Sequence, residues 1–229
     1  MVYTKEKMFF FDAEWVPQSE TYGLYQIEHP EMAEVFAHQC DKWKGKDPKG
    51  WDYSKYWEEK AHFAPEYCKI ICISYGYFNK GEFIVQSIYG EDEYKILEPF
   101  RTVLDKVYKA GFVLTGYAIK RFDMPWLSKR MMINGIKPHS SISLYGKKPW
   151  EVIAFDIPEV WGQGSMGESY TPFEVASTAL GVGNSKDDLS GDKVMRAYYD
   201  GELERIKNYC ELDVIKSKDL TVKILDLMP

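Results

Sequence analysis

Apolar residues in "KMFFFDAEWV" come three in a row at Phe9, Phe10 and Phe11, which predicts a strand over residues 7–13 buried on both faces. The pattern then breaks. From Pro17 to about Pro65, "EHPEMAEVFAHQC" has the spacing of a short amphipathic helix, while "DKWKGKDPKGWDYSKYWEEK" is broken by Gly45, Pro48 and Gly50 and predicts no regular element. Residues 67–78 and 82–90 are β-rich and flank "FNKGE", where Asn79 and Gly81 suit a hairpin turn. In "EDEYKILEPFRTVLDKVYKA" apolar side chains fall at 96, 97, 100, 103, 104 and 107, a helical period. "GFVLTGY" predicts a short strand, "DMPWLSKRMMINGI" a helix opening at Asp123 with Pro125 in its first turn and Gly135 near its end, and "EVIAFDI" a last strand. "TPFEVASTALG" and "ELERIKNYCELDVIKSKDLTVKIL" read as helices, the second with apolar positions at 203, 206, 210, 214 and 220.

That order suits an α/β fold, a mixed sheet with helices on its faces. With 229 residues, 45% of them hydrophobic, the chain reads as one domain over 1–229 with an insertion at about 17–65. No run of about 18 apolar residues occurs, and Asp12 interrupts the apolar start, so neither a membrane span nor a signal peptide is expected. The expectation is a soluble, cytoplasmic protein with no membrane partner. Cys40, Cys68, Cys72 and Cys210 show no disulfide-framework spacing, which suits a reducing compartment. Cys68 and Cys72 share a predicted strand face with residue 70 and read as small core residues rather than zinc ligands.

A net charge of −6 argues at first against a nucleic-acid partner. The distribution of the acids changes that. Asp12 and Glu14 stand two apart on one strand and so point the same way, at a separation where two anions repel and a cation between them would be favoured. Asp123 falls just past a predicted strand at the start of a helix, where functional groups of open α/β sheets lie. Tyr209 and Asp213 are four apart on a helix and occupy one face. If these carboxylates hold two divalent cations, a phosphate meets a positive site. Phosphodiester hydrolysis uses such a set, because two ions about 4 Å apart activate water and stabilise the leaving oxygen. Magnesium takes hard oxygen ligands, and none of the four histidines lies near these motifs.

The segments around Asp12-Ala13-Glu14, "FDMPWL" with Asp123, and Tyr209 with Asp213 resemble the motifs of DEDD-superfamily 3′–5′ exonucleases of the tyrosine subclass. "PEYCKIICIS" and "GYAIKRFDMPWLSKR" are similar to the group related to the proofreading exonuclease domain of family B DNA polymerases. The resemblance implies a ribonuclease H-like fold and a two-metal exonuclease using Mg2+, with Mn2+ substituting. It implies that Asp12, Glu14 and Asp213 hold the metal that binds the attacking water. Asp12 would bridge to a second ion contacted by Asp123, and Tyr209 would orient the water with Glu14. Single-stranded DNA, ahead of RNA, is the implied substrate, a separate polymerase or replication and repair proteins are implied partners, and Trp15, Phe122 and Lys186 are implied substrate contacts. One departure stands out: Ala118 occupies the position where the family commonly has asparagine. An exoribonuclease and an inactive nucleic-acid-binding module on the same fold are the alternatives. In the insertion, Trp43, Trp51 and Trp57 alternate with Lys42, Lys44, Lys46, Lys49 and Lys55, which suits either a lid over a single strand or a packed subdomain with a solvated lysine face.

Overall fold

The structure, a computed structural model, describes residues 3–44, 46, 50–163, 170–183 and 189–228. Strand β1 (Met8–Pro17) runs past both acids, further than the apolar pattern predicts. Met8, Phe9, Phe10 and Phe11 are all at most 1% exposed, and burying each such side chain contributes about 1.5–3 kcal/mol. Three helices follow, α1 (Tyr22–Glu28), α2 (Pro30–Lys44) and α3 (Tyr53–Lys60). They enclose a core of their own around Tyr22, Tyr25, Phe36, Tyr56 and Trp57, against which Trp43 and Trp51 pack. The tryptophans therefore serve this small core, and Lys55 pairs with Glu59 at 3.0 Å, which is the packed arrangement rather than an open stacking surface. Lys49 lies outside the described residues.

Strands β2 (Cys68–Asn79) and β3 (Glu82–Tyr89) form the expected hairpin. Its turn is Lys80-Gly81, both with positive φ (50° and 89°), the geometry of a two-residue type I′ connection. Next come α4 (Glu93–Lys109), β4 (Val113–Gly116), α5 (Asp123–Ile133) and β5 (Ala154–Asp156). The short α6 (Ile157–Trp161) and α7 (Phe173–Ala179) lead to α8 (Gly191–Tyr199) and the long α9 (Leu203–Leu227). The strand order is β3-β2-β1-β4-β5, with β1 antiparallel to β2 and parallel to β4. This is a mixed α/β sheet. Phe9, Phe11 and Ala13 face α4 and α5, through Leu97, Phe100, Leu104 and Leu127. Met8 and Phe10 face the opposite layer, through Val214, Leu220 and Ile224 of α9.

Two irregularities shape the end of the sheet where the acids lie. First, β1 pairs with β4 only through Met8, Phe9 and Phe10, so the rest of that edge of β1 projects beyond its neighbour. Second, a bulge falls between Glu14 and Trp15: Glu14 pairs with Cys72 and Trp15 with Ile70, leaving Ile71 over. The bulge corrects the expectation that residues 70 and 72 share a face, because Ile70 packs towards α4 and α5 while Ile71 and Cys72 both pack towards α9. Among the described residues the cysteines are buried and free, and Cys68 bonds the Ala61 carbonyl rather than a second thiol. No described helix is long and apolar enough to cross a membrane.

Candidate active site

Asp12 and Glu14, half-buried, project from the overhanging part of β1 towards α9, on the side of Met8 and Phe10. Gly116 ends β4 beside them, and it must be glycine: a Cβ there would lie 2.8 Å from the Phe11 carbonyl oxygen and 2.5 Å from an Ile119 methyl. The chain then turns through Ala118, which sits at φ 57°, the left-handed region that alanine rarely adopts. Asparagine tolerates that region better than other non-glycine residues, which gives the departure at this position a backbone meaning. The loop delivers Asp123 to the first turn of α5, where it is 4% exposed.

Asp123 does not cap its helix; Phe122 holds the cap position. Instead its Oδ1 accepts the Ala13 N–H at 3.0 Å, across the overhang. This clasp fixes Asp123 against the backbone between the two acids of the first motif. A buried network braces the same helix. Arg130 donates Nε to Glu93 Oε1 at 2.8 Å and Nη2 to Glu93 Oε2 at 2.5 Å, and Glu93 Oε1 also accepts the Ile70 N–H at 2.7 Å. Trp15 stacks on Trp126 of α5, centroids 4.1 Å apart, and its indole N–H donates to the His62 carbonyl. One face of Trp15 is thus committed to packing.

From α9, Tyr209 and Asp213 enter one turn apart, near enough for the Tyr209 hydroxyl to favour the ionised Asp213 carboxylate. Lys216 lies 3.6 Å from Asp213 Oδ1. Cys210, on the same helix, donates its thiol to Asp12 Oδ2 at 3.3 Å. Asp12, Glu14 and Cys210 bring potential ligand atoms within 4.8 Å of one another. All five residues expected from the motifs therefore gather around one end of the sheet. Lys186 lies outside the described residues, and Phe122 is half-buried beside Tyr170.

The electrostatics carry the mark of crowded anions. Burial, then the charges of Asp123, Glu14 and Asp213, push the Asp12 carboxyl well above its usual range. Glu14 is raised by burial and by Asp213. Asp123 is pushed up to about 7, chiefly by burial, against the hydrogen bonds it accepts. Burial also raises Asp213, opposed by Lys216, and raises the Tyr209 phenol, which the neighbouring carboxylates reinforce. Such a set of converging oxygens, each disfavouring the ionisation of the next, fits divalent cations, whose charge would offset the repulsion.

Two neighbours escaped the sequence reading. Cys210 reads as a core position of an amphipathic helix, and nothing in its spacing signals the contact with Asp12. Asp156, 3% exposed at the end of β5, accepts the Lys120 N–H at 2.8 Å and so holds the loop that delivers Asp123. Burial raises its carboxyl to about 6. An acid between a short strand and a helix reads as an ordinary cap, although here its side chain makes no cap bond to α6.

Comparison with known proteins gives the family and the fold. A family model described as a predicted 3′–5′ exonuclease related to the exonuclease domain of PolB matches residues 61–222. Asp123, Tyr209 and Asp213 lie inside the match; Asp12 and Glu14 precede it. Among solved structures, the family B DNA polymerase from the hyperthermophilic archaeon Pyrobaculum calidifontis is similar at 16% identity and a TM-score of 0.57, over 95% of this chain and 24% of that one. The chain thus spans about a quarter of that polymerase's length, and the likeness shows the ribonuclease H-like fold. No curated protein matches the chain.

Proposed function

The chain belongs to the family of predicted 3′–5′ exonucleases related to the exonuclease domain of PolB, and we propose that it removes nucleoside monophosphates from the 3′ end of single-stranded DNA in a magnesium-dependent hydrolysis. The observation that carries this reading is the meeting of Asp12, Glu14, Asp123, Tyr209 and Asp213 at one end of the sheet, although they are spread over most of the chain. Asp12, Glu14 and Asp213 would hold one ion and Asp12 with Asp123 a second. Such a pair, when bound, supplies a nucleophilic water at neutral pH and offsets charge on the attacking and leaving oxygens. Manganese substitutes for magnesium in the same oxygen set.

The protein's own groups do the positioning. Tyr209 keeps its proton at neutral pH, since burial raises its phenol, so it orients the attacking water by hydrogen bonding and does not act as a base. Glu14 accepts from the same water. Cys210 and the Ala13 amide hold the Asp12 and Asp123 carboxylates in place. A separate polymerase, or other replication and repair proteins, are the partners that supply such ends.

The test is digestion of 5′-labelled single strands of DNA and RNA side by side, in magnesium and then manganese. A ladder shortening from the 3′ end, faster on DNA, is expected, with Asp213→Ala slower by orders of magnitude. Preference for the RNA strand would assign an exoribonuclease instead. Binding without cleavage in either metal would assign an inactive binding module, and wild-type rates in Asp213→Ala would reject the site.

A further inference from the structure

The loop that carries Asp123 also presents Arg121, an exposed residue two positions before it. Its guanidinium carbon lies 5.3 Å from the ring centroid of Phe122 and 5.3 Å from that of Tyr170. The two rings meet edge to face, centroids 6.4 Å apart at 80°. Tyr170 is backed by Tyr117 at 6.3 Å, and Tyr117 in turn stacks on Phe173 of α7 at 4.4 Å. Tyr170 also lies within electrostatic reach of Asp123 and Asp156, which places this aromatic wall beside the acids.

A cation held over ring faces keeps its hydrogen-bond donors, because the attraction is to the rings' quadrupoles and uses no N–H. The neighbouring cations are engaged otherwise: Lys120 reaches Glu159 at 2.6 Å, and Lys216 lies against Asp213. Arg121 makes no ion pair or side-chain hydrogen bond among the described residues. Its planar fork, fixed by two rings and open at the edge, matches the oxygens of a phosphodiester. A strand approaching a cleft of four carboxylates meets repulsion, and a fixed cation at its mouth offsets part of it.

We propose that Arg121, seated on Phe122 and Tyr170, binds a phosphate of the substrate strand other than the one cleaved, and so forms a subsite that selects polynucleotides over single-phosphate esters. This subsite rests on the exonuclease reading, since it presumes a strand running into the acidic cleft. Tyr170 positions the arginine. It is not a catalytic residue.

Binding of fluorescein-labelled oligothymidylate is measured by anisotropy across a salt series, with calcium in place of magnesium, for wild type, Arg121→Gln, Arg121→Lys and Tyr170→Leu. Arg121→Gln should bind about tenfold more weakly, as expected for loss of a charged hydrogen bond, and its log–log salt slope should be shallower by about 0.7, one phosphate contact on a single strand. Arg121→Lys keeps the charge and the slope but loses affinity, which reads the fork itself even if Arg121→Gln folds poorly. Tyr170→Leu, which frees the arginine without removing its charge, should weaken binding with the slope retained. In kinetics, Arg121→Gln should lose more on the oligonucleotide than on the p-nitrophenyl ester of thymidine 5′-monophosphate. Wild-type affinity and slope in both arginine variants overturn the subsite. If that occurs while the wild type cleaves the strand, the exonuclease reading stands alone; if the wild type neither binds nor cleaves, both fall.

Discussion

Replacing Glu14 by glutamine removes one anion from the cluster while nearly keeping its shape. Glu14 and Asp12 present oxygens no more than 4.8 Å apart, which at an effective dielectric of about 20 is a repulsion of about 3 kcal/mol when both are ionised. The sign of the pH dependence follows from the raised carboxyls. Unfolded carboxyls titrate at about 4, whereas in the folded metal-free chain Asp123 holds its proton up to about 7 and Asp12, Glu14 and Asp213 are also held above their usual range. Between those ranges the folded state binds more protons than the unfolded one. These groups therefore favour folding fully below about pH 4, and that contribution is lost as pH rises through the folded values. Glu14→Gln deletes one of them. In EDTA its advantage over wild type should be small at about pH 5 and open to about 3 kcal/mol at about pH 9, read by urea unfolding. In thermal unfolding that is roughly 6–12 °C for a chain of this length. Saturating magnesium should narrow or reverse the ranking, because only the intact site gains the full binding free energy. A variant no more stable than wild type in EDTA at high pH would refute the crowding of anions at this site.

Tyr209→Phe should keep the magnesium-induced rise in Tm and lose about tenfold in kcat, the worth of one hydrogen bond to a charged group; loss of the thermal rise would show a ligand-holding role instead. Glu93→Gln strands the Arg130 charge, 4% exposed, and should cost about 3–5 kcal/mol in urea unfolding. The double replacement Glu93→Gln with Arg130→Met, which removes the stranded charge and keeps an acceptor for the Ile70 N–H, should recover much of that loss, and a double variant as unstable as the single would contradict the account. Ala118→Gly should stabilise the fold by about 1 kcal/mol by releasing the left-handed backbone, measured by the same unfolding curves; a loss of stability would show that the methyl group matters more than the strain.

The periodic elements were legible in the sequence because burial imposes a repeat on them. The Phe9–Phe11 run, the hairpin around Lys80-Gly81 and the stripes of α4 and α9 all stand where apolar spacing puts them. The same-face logic that brings Asp12 to Glu14 and Tyr209 to Asp213 also holds, since strand and helix periods are local properties. The helices α1, α3 and α8, of seven, eight and nine residues, were not read from the sequence, whereas α7, also of seven, was. The bulge at Ile71 left no sign because it is a matter of pairing, set by the partner strand. Cys210 against Asp12, and Arg121 over Tyr170, join residues distant along the chain through contacts that no spacing rule encodes. Asp123 was found as an acid at a helix start, but its real partner, a main-chain amide on another strand, follows only from β1 outlasting β4.

That last junction has an evolutionary corollary. The hook between the second acidic segment and the first grips a main-chain hydrogen, so exchanging the side chain at residue 13 leaves it intact, provided the newcomer is small enough for a position 5% exposed. Proline alone, lacking that hydrogen, would unfasten the clasp at its source. Drift at this locus is thus filtered by volume and by imino character, and polarity is screened only through the packing beneath.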